Sequence, residues 1–172
     1  MGGISSSTGS NILYGTDGYV TVNGTDVGAT EGDIVVQWSL TQYYPDLAQA
    51  RGPVSGTGIV SEGTFNVTVT LAEFSWTNLS VVMGSLGATS TGTSYKFGGS
   101  ALNDVTEVSN VAVVGVSRND GKAFTAIIPT AYVEIGNLNL SEGKESTIEV
   151  TFHGLYTTAL PTTLPGSIQF QK

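Results

Sequence analysis

Cysteine is absent from this chain of 172 residues, which removes disulfides, thiolate catalysis and zinc–thiolate centres together. It leaves the compartment open. Charge is also scarce: Asp, Glu, Lys and Arg make up 12% of the residues, against roughly 25% in ordinary soluble domains. Positive charge is scarcest. Arg51, Lys96, Arg118, Lys122, Lys144 and Lys172 lie scattered against 14 carboxylates, for a net charge of −8. Nucleic-acid binding through phosphates needs clustered cations, so tight DNA binding is disfavoured. An acidic surface past which nucleic acid slides is still allowed. No apolar run approaches the ~18 residues that span a membrane. Residues 1–10 are Gly/Ser-rich, without the basic start or apolar stretch of a signal peptide. They read as a flexible arm made in a cytoplasm, ahead of a single domain over 11–172, a length sufficient for one self-sustaining core.

What fills the deficit is Thr, Ser, Gly and Asn beside β-branched apolar residues, a mixture suited to strands and tight turns. The clearest strand is Thr64 to Leu71, with Phe65, Val67, Val69 and Leu71 on one face and Thr or Asn on the other. In Ile34 to Tyr43 the period of two places Ile34, Val36, Trp38 and Leu40 inward and Gln37, Ser39 and Thr41 outward. Thr147 to Phe152 alternates likewise, and Ser167 to Phe170 is the last strand. Asp17-Gly18 and Asn119-Asp120-Gly121 each sit between apolar runs as hairpin signals. The latter joins Val111–Val116 to Lys122–Ile128. Further strands are expected near Tyr95–Phe97 and at Tyr132–Ile135, with a turn over Asn137–Gly143. Glu73 to Met83 is the one plausible helix, its Phe74, Leu79, Val82 and Met83 at helical spacing and Gly84 a stop. The fold class is mainly β: a β-sandwich or part-closed barrel with one flanking helix and a long loop over 42–57.

Catalytic chemistry is hard to assemble from these residues. The lone histidine, His153, reads as a hydrogen-bonded packing residue at a strand end, and no Gly-x-Ser-x-Gly elbow accompanies it. Glu73, Glu134 and Glu149 are the candidates for a sugar-hydrolysing carboxylate pair. The simpler reading puts Glu73 at the positive end of the helix dipole and the other two on wet strand faces. The glycines lack a following Lys-Ser/Thr, and Asp17, Asp26 and Asp33 are too widely spaced for a calcium loop. No cofactor, metal or enzymatic activity is therefore expected. Trp38 by its phase belongs to the core, and Trp76 lies on the helix over the sheet. Asn-x-Ser/Thr sequons at Asn23, Asn66, Asn78 and Asn139 are expected by chance in a chain this rich in Asn and Thr.

The ordered set of segments resembles the major tail tube protein of long, non-contractile-tailed bacteriophages. Ile34 to Leu40 runs into a loop that returns at Gly52-Pro-Val-Ser-Gly-Thr57. Phe65 to Leu71 passes directly into Ala72-Glu-Phe-Ser-Trp-Thr-Asn-Leu79. Asn119-Asp-Gly-Lys122 precedes Ile127-Ile-Pro-Thr-Ala-Tyr-Val133, then 138–145 (LNLSEGKE) and Ile148-Glu-Val-Thr-Phe152. The order spans roughly residues 30–155, and the tubes of contractile tails and type VI secretion share the family's fold. The resemblance implies a β-sandwich that closes into hexameric rings, the sheets joining as one barrel around a channel. The rings stack into a tube for DNA ejection, located in the virion tail and assembled in the host cytoplasm. Implied partners are other copies of the chain, a tape measure protein and tail-end proteins. Double-stranded DNA would pass without specific binding, and no membrane is involved.

On that expectation Gln37, Ser39, Thr41, Thr64, Asn66, Thr68 and Thr70 line the channel. The loop over 42–57 carries contacts to the next ring through Tyr43, Tyr44, Asp46 and Arg51, the only cation in the first 95 residues. Tyr43 and Tyr44 fit equally well as anchors of the loop on their own sheet. The competing expectations are a capsid decoration or other virion surface protein, and a carbohydrate-binding or glycosidase module stacking sugars on its Trp and Tyr residues.

Overall fold

A computed structural model of the chain describes residues 16–45, 54–56, 58–73, 75–83, 89–91, 94–96, 107–117, 121–140, 142, 146–157 and 163–171. In chain order the elements are β1 (Thr16–Val22), β2 (Thr25–Asp26), β3 (Val35–Tyr43), β4 (Ile59–Leu71), α1 (Trp76–Met83), β5 (Thr89–Thr91), β6 (Ser94–Lys96), β7 (Glu107–Ser117), β8 (Ala123–Asn139), β9 (Thr147–Gly154) and β10 (Ser167–Phe170). Eight strands form one antiparallel sheet in the order β2-β1-β7-β8-β9-β4-β3, with β10 also on β8, while β5 and β6 pair separately. The protein is mainly β, with an open sheet.

Alternation builds the core. In β4, Phe65, Val67, Val69 and Leu71 are buried while the intervening Thr and Asn are wetter. Register sets Val67 against Phe152, Val69 against Val150 and Leu71 against Ile148. Each such side chain contributes about 1.5–3 kcal/mol on burial. Val20, Val22, Val111, Val113, Ala126 and Ile128 join the same cluster from β1, β7 and β8.

One kink gives the sheet its sandwich-like form. Before Pro129 the inward residues of β8 are Ala126 and Ile128, and after it Ala131, Val133 and Ile135. The phase slips by one residue. Opposite, β7 makes the same slip between Val108 and Val111, where Asn110 adopts φ 52°. The two strands bend together, so the first part of β8 pairs with β10 and the later part with β9. A proline is tolerated there because its neighbour has left the regular ladder. The layer of β3, β4 and β9 then faces the layer of β1, β7, early β8 and β10, with Ile34 and Val36 opposite Gly18, Val113 and Phe124.

The strap from Val27 to Glu31 ties the layers at one end. Val27 N–H donates to Val20 O (3.0 Å), Glu31 N–H to Thr70 O (2.9 Å), and Ala72 N–H to Ala29 O (2.9 Å). Helix α1 packs Leu79 and Val82 into the core. Its cap is Ser75, whose Oγ accepts the Asn78 N–H at 3.2 Å.

Several sequence expectations are corrected. Asp17-Gly18 is not a turn but lies inside β1; the hairpin is at Asn23-Gly24, with φ 51° and 78°, the geometry of a type I′ turn. Glu73 precedes the helix and accepts the Ala29 N–H at 3.1 Å instead of serving the helix dipole. The expected break between Ile128 and Tyr132 is absent, β8 continuing through Pro129 to Asn139. The hairpin expected around Asn119-Asp120-Gly121 is present as the β7–β8 pair, Val116 opposite Ala123. Phe74, residues 118–120, most of the expected loop and residues 1–15 lie outside the described residues.

Candidate functional site

The β3–β4 hairpin is the most unusual part of the surface. Only Val36 of β3 is even partly buried, so from Gln37 onward the strand is exposed on both faces. β3 ends the sheet order, leaving one edge without a strand partner among the described residues. Its sequence, VVQWSLTQY, holds no Lys, Pro or other charge to block that edge. β4 outruns β9, and where β9 has ended, Tyr156 takes over. Its hydroxyl donates to Gly63 O and accepts Gly63 N–H, both at 2.8 Å. Gly63 pairs with Leu40. With both its polar groups turned to Tyr156, Leu40 directs its own N–H and C=O to the free edge, and by alternation so does Trp38. A bulge at Ser61, opposite Thr41 and Gln42, twists the hairpin near its tip.

All seven channel candidates fall on one face. Register sets Gln37 against Asn66, Ser39 against Thr64 and Thr41 against Glu62, with Thr68 and Thr70 continuing along β4. The face extends onto β9, where Thr68 Oγ1 and Thr151 Oγ1 share a hydrogen bond of 3.0 Å. Neither β3, β4 nor β9 contains a Lys or Arg, while Glu62 and Glu149 are exposed.

Trp38 is a correction. Its phase is the inward one, opposite Phe65, yet it is 57% exposed. The facing layer ends in a strand of four residues, β10, too short to cover the hairpin. The result is an open apolar cleft of about 350 Å³ lined by Trp38, Leu40, Phe65, Leu164, Ile168 and Phe170. Of the inter-ring candidates, Tyr43 is 57% exposed, whereas Tyr44 lies against Gly58 and donates to Gln42 Oε1 at 3.2 Å. Asp46 and Arg51 lie outside the described residues.

Sequence reasoning missed a polar cluster on the same hydrated face. His153 stacks on Tyr132 at 4.6 Å between ring centres. Its Nε2 is 2.7 Å from Glu134 Oε2 and its Nδ1 is 3.2 Å from Asn66 Oδ1. The cluster laces β4, β9 and β8 together across the ladder. Sequence pointed to a hydrogen-bonded histidine but not to its partners, which are 87 and 19 residues away. Among the described residues, no group of three or more His, Asp or Glu is placed to hold a metal. Nor, among them, is any helix long and apolar enough to cross a membrane. Set against known proteins, the chain matches no family model and no curated sequence.

Proposed function

We propose that this chain is a structural subunit that assembles with its own copies, sheet edge to sheet edge, into rings that stack as a tail tube. The observation that carries the proposal is the β3 edge: nine residues long, uncharged, without a strand partner among the described residues, and exposed on both faces from Gln37 onward. A two-stranded ribbon is marginal in water on its own, and an open edge of this kind invites a further strand. At the opposite edge, among the described residues, the outer side of β1 meets the two residues of β2 and, through Val20 O, the Val27 N–H that follows them. Joining β3 of one copy to β1 of the next is a head-to-tail contact, which closes into a ring when the rotation per subunit permits.

The hydrated face supports the channel role in the same reading. Gln37, Ser39, Thr41, Thr64, Asn66, Thr68 and Thr70 offer hydroxyls and amides without a cation, so phosphates passing over them meet no fixed positive charge. As the resemblance implies, the assembled tube would sit in a virion tail, pass double-stranded DNA, and meet a tape measure protein and tail-end proteins.

Sedimentation velocity over a rising protein concentration tests assembly. Discrete growth beyond the monomer is expected. A single monomeric boundary at every concentration would sink the proposal. The exposed Trp38 favours one second reading, a carbohydrate-binding module that stacks sugar on the indole. Retention on insoluble polysaccharide, lost in Trp38→Ala, would favour it over assembly.

A further inference from the structure

Gly18 lies inside β1, and its phase is inward with Val20 and Val22. A glycine inside a strand weakens it and often marks a place where another group approaches closely. Gly115, its register partner on β7, shows what fills such a place: the Phe124 ring lies where a Cβ would be. At Gly18 no aromatic ring among the described residues does the same. A Cβ there would meet only Ile34 Cδ1 at 3.3 Å and Val114 O at 3.7 Å. Beside it opens a cavity of about 470 Å³, whose walls include Thr30, Asp33, Ile34, Val36, Val113 and Phe124.

The β1 edge is open at this point. Val20 O accepts the Val27 N–H on the side away from β7. By alternation Gly18 directs its own N–H and C=O to that side, where no strand partner stands among the described residues. Trp38 has the complementary arrangement on β3. Its main-chain groups face the free edge, while its side chain is on the inward face and 57% exposed. Within one chain Trp38 stands four residues along β3 from Ile34, or about 13 Å, too far for its indole to cover its own Gly18.

We propose that Trp38 of one copy pairs with Gly18 of the next and seats its indole in the cavity beside it. The inference rests on the reading that copies join β3 to β1, and it fixes their register. In an antiparallel ladder, two residues that both direct main-chain groups across the joint stand directly opposite, with their side chains on one face. Trp38 and Gly18 meet that condition. A shift of two residues one way would press the indole onto Val20, fully buried in its own chain; the other way would leave the cavity unfilled. Covering an edge glycine with a cross-strand aromatic is a recurrent device for pinning register. Thr30 and Asp33, on the cavity wall, carry acceptors for the indole N–H, the one polar group Trp38 brings.

The test uses the full chain with Trp76→Phe, which leaves Trp38 as the sole indole. Its fluorescence is followed from dilute to concentrated protein, with sedimentation run alongside. A blue shift and a loss of iodide quenching are expected as copies associate. Trp38→Ala and Gly18→Val should each raise the concentration for half-assembly by about tenfold or more. Together they should raise it no further than the larger single change, since both remove one contact. If Trp76→Phe impairs folding, the Trp38 indole N–H resonance, assigned by its loss in Trp38→Phe, gives the same readout; Gly18→Ala likewise replaces Gly18→Val. Assembly with Trp38 emission unmoved overturns the inference and leaves the assembly reading standing. So does full additivity of the two substitutions. No assembly at any concentration overturns both.

Discussion

At the scale of single residues, polar satisfaction explains positions that composition leaves silent. Tyr156 is a half-exposed tyrosine on a connecting segment, yet its hydroxyl hydrogen-bonds both backbone groups of the buried Gly63. Tyr156→Phe keeps the ring and strands both groups. Stability should fall by about 1–3 kcal/mol, read as the shift of the urea midpoint at constant slope. Gly28 is held at φ 92°, with Asn78 and Glu73 filling the space a methyl group would need. Gly28→Ala forces a left-handed alanine, at about 1–2 kcal/mol, into contact with both side chains. Thermal unfolding should drop further than for Gly24→Ala, where the φ is also positive but the space is open. Equal losses would show that the strap around Gly28 does not matter.

At the scale of elements, strands with one buried face were legible and their surroundings were not. β4 and β9 read directly as alternation, because both of their neighbours are long enough to hold the phase. The direction in which Trp38 points followed from the same rule. Its exposure did not, since cover depends on β10 stopping after four residues on a strand more than a hundred positions away. The break expected between Ile128 and Tyr132 is absent for a related reason: the cost of Pro129 in the strand is removed by Asn110 turning left-handed on the partner strand, a long-range compensation no local pattern reports. Asn23-Gly24 was the turn and Asp17-Gly18 was not, although both carry turn chemistry; the long ladder with β7 holds Asp17 and Gly18 in a strand. The seven polar positions of the candidate face were readable for the same reason as β4, whereas the His153 cluster needed three strands in register. The free edge yields its own prediction. Leu40→Pro removes an outward N–H without taking a bond from the β3–β4 ladder, the placement in which edge strands accept proline. The variant should fold with a thermal midpoint within a few degrees of the native protein and should not assemble. Assembly unimpaired in Leu40→Pro would remove β3 from the interface.

At the scale of the whole molecule, two opposing terms govern association. Copies of net charge −8 repel one another, while the edge and the apolar surfaces around it attract without any charge of their own. Salt screens the first and leaves the second, the screening length falling from about 30 Å at 0.01 M to about 10 Å at 0.1 M. Assembly should therefore strengthen as sodium chloride rises from low to moderate concentration, as seen by light scattering. Weakening with salt would mean that ion pairs hold the copies together. The most direct test of the central claim is negative-stain electron microscopy of the concentrated native protein beside Leu40→Pro. Rings or stacked tubes in the native sample, and none in the variant, are the predicted result. A field of separate monomers in the native sample at every concentration and salt, or identical tubes in both samples, would contradict it.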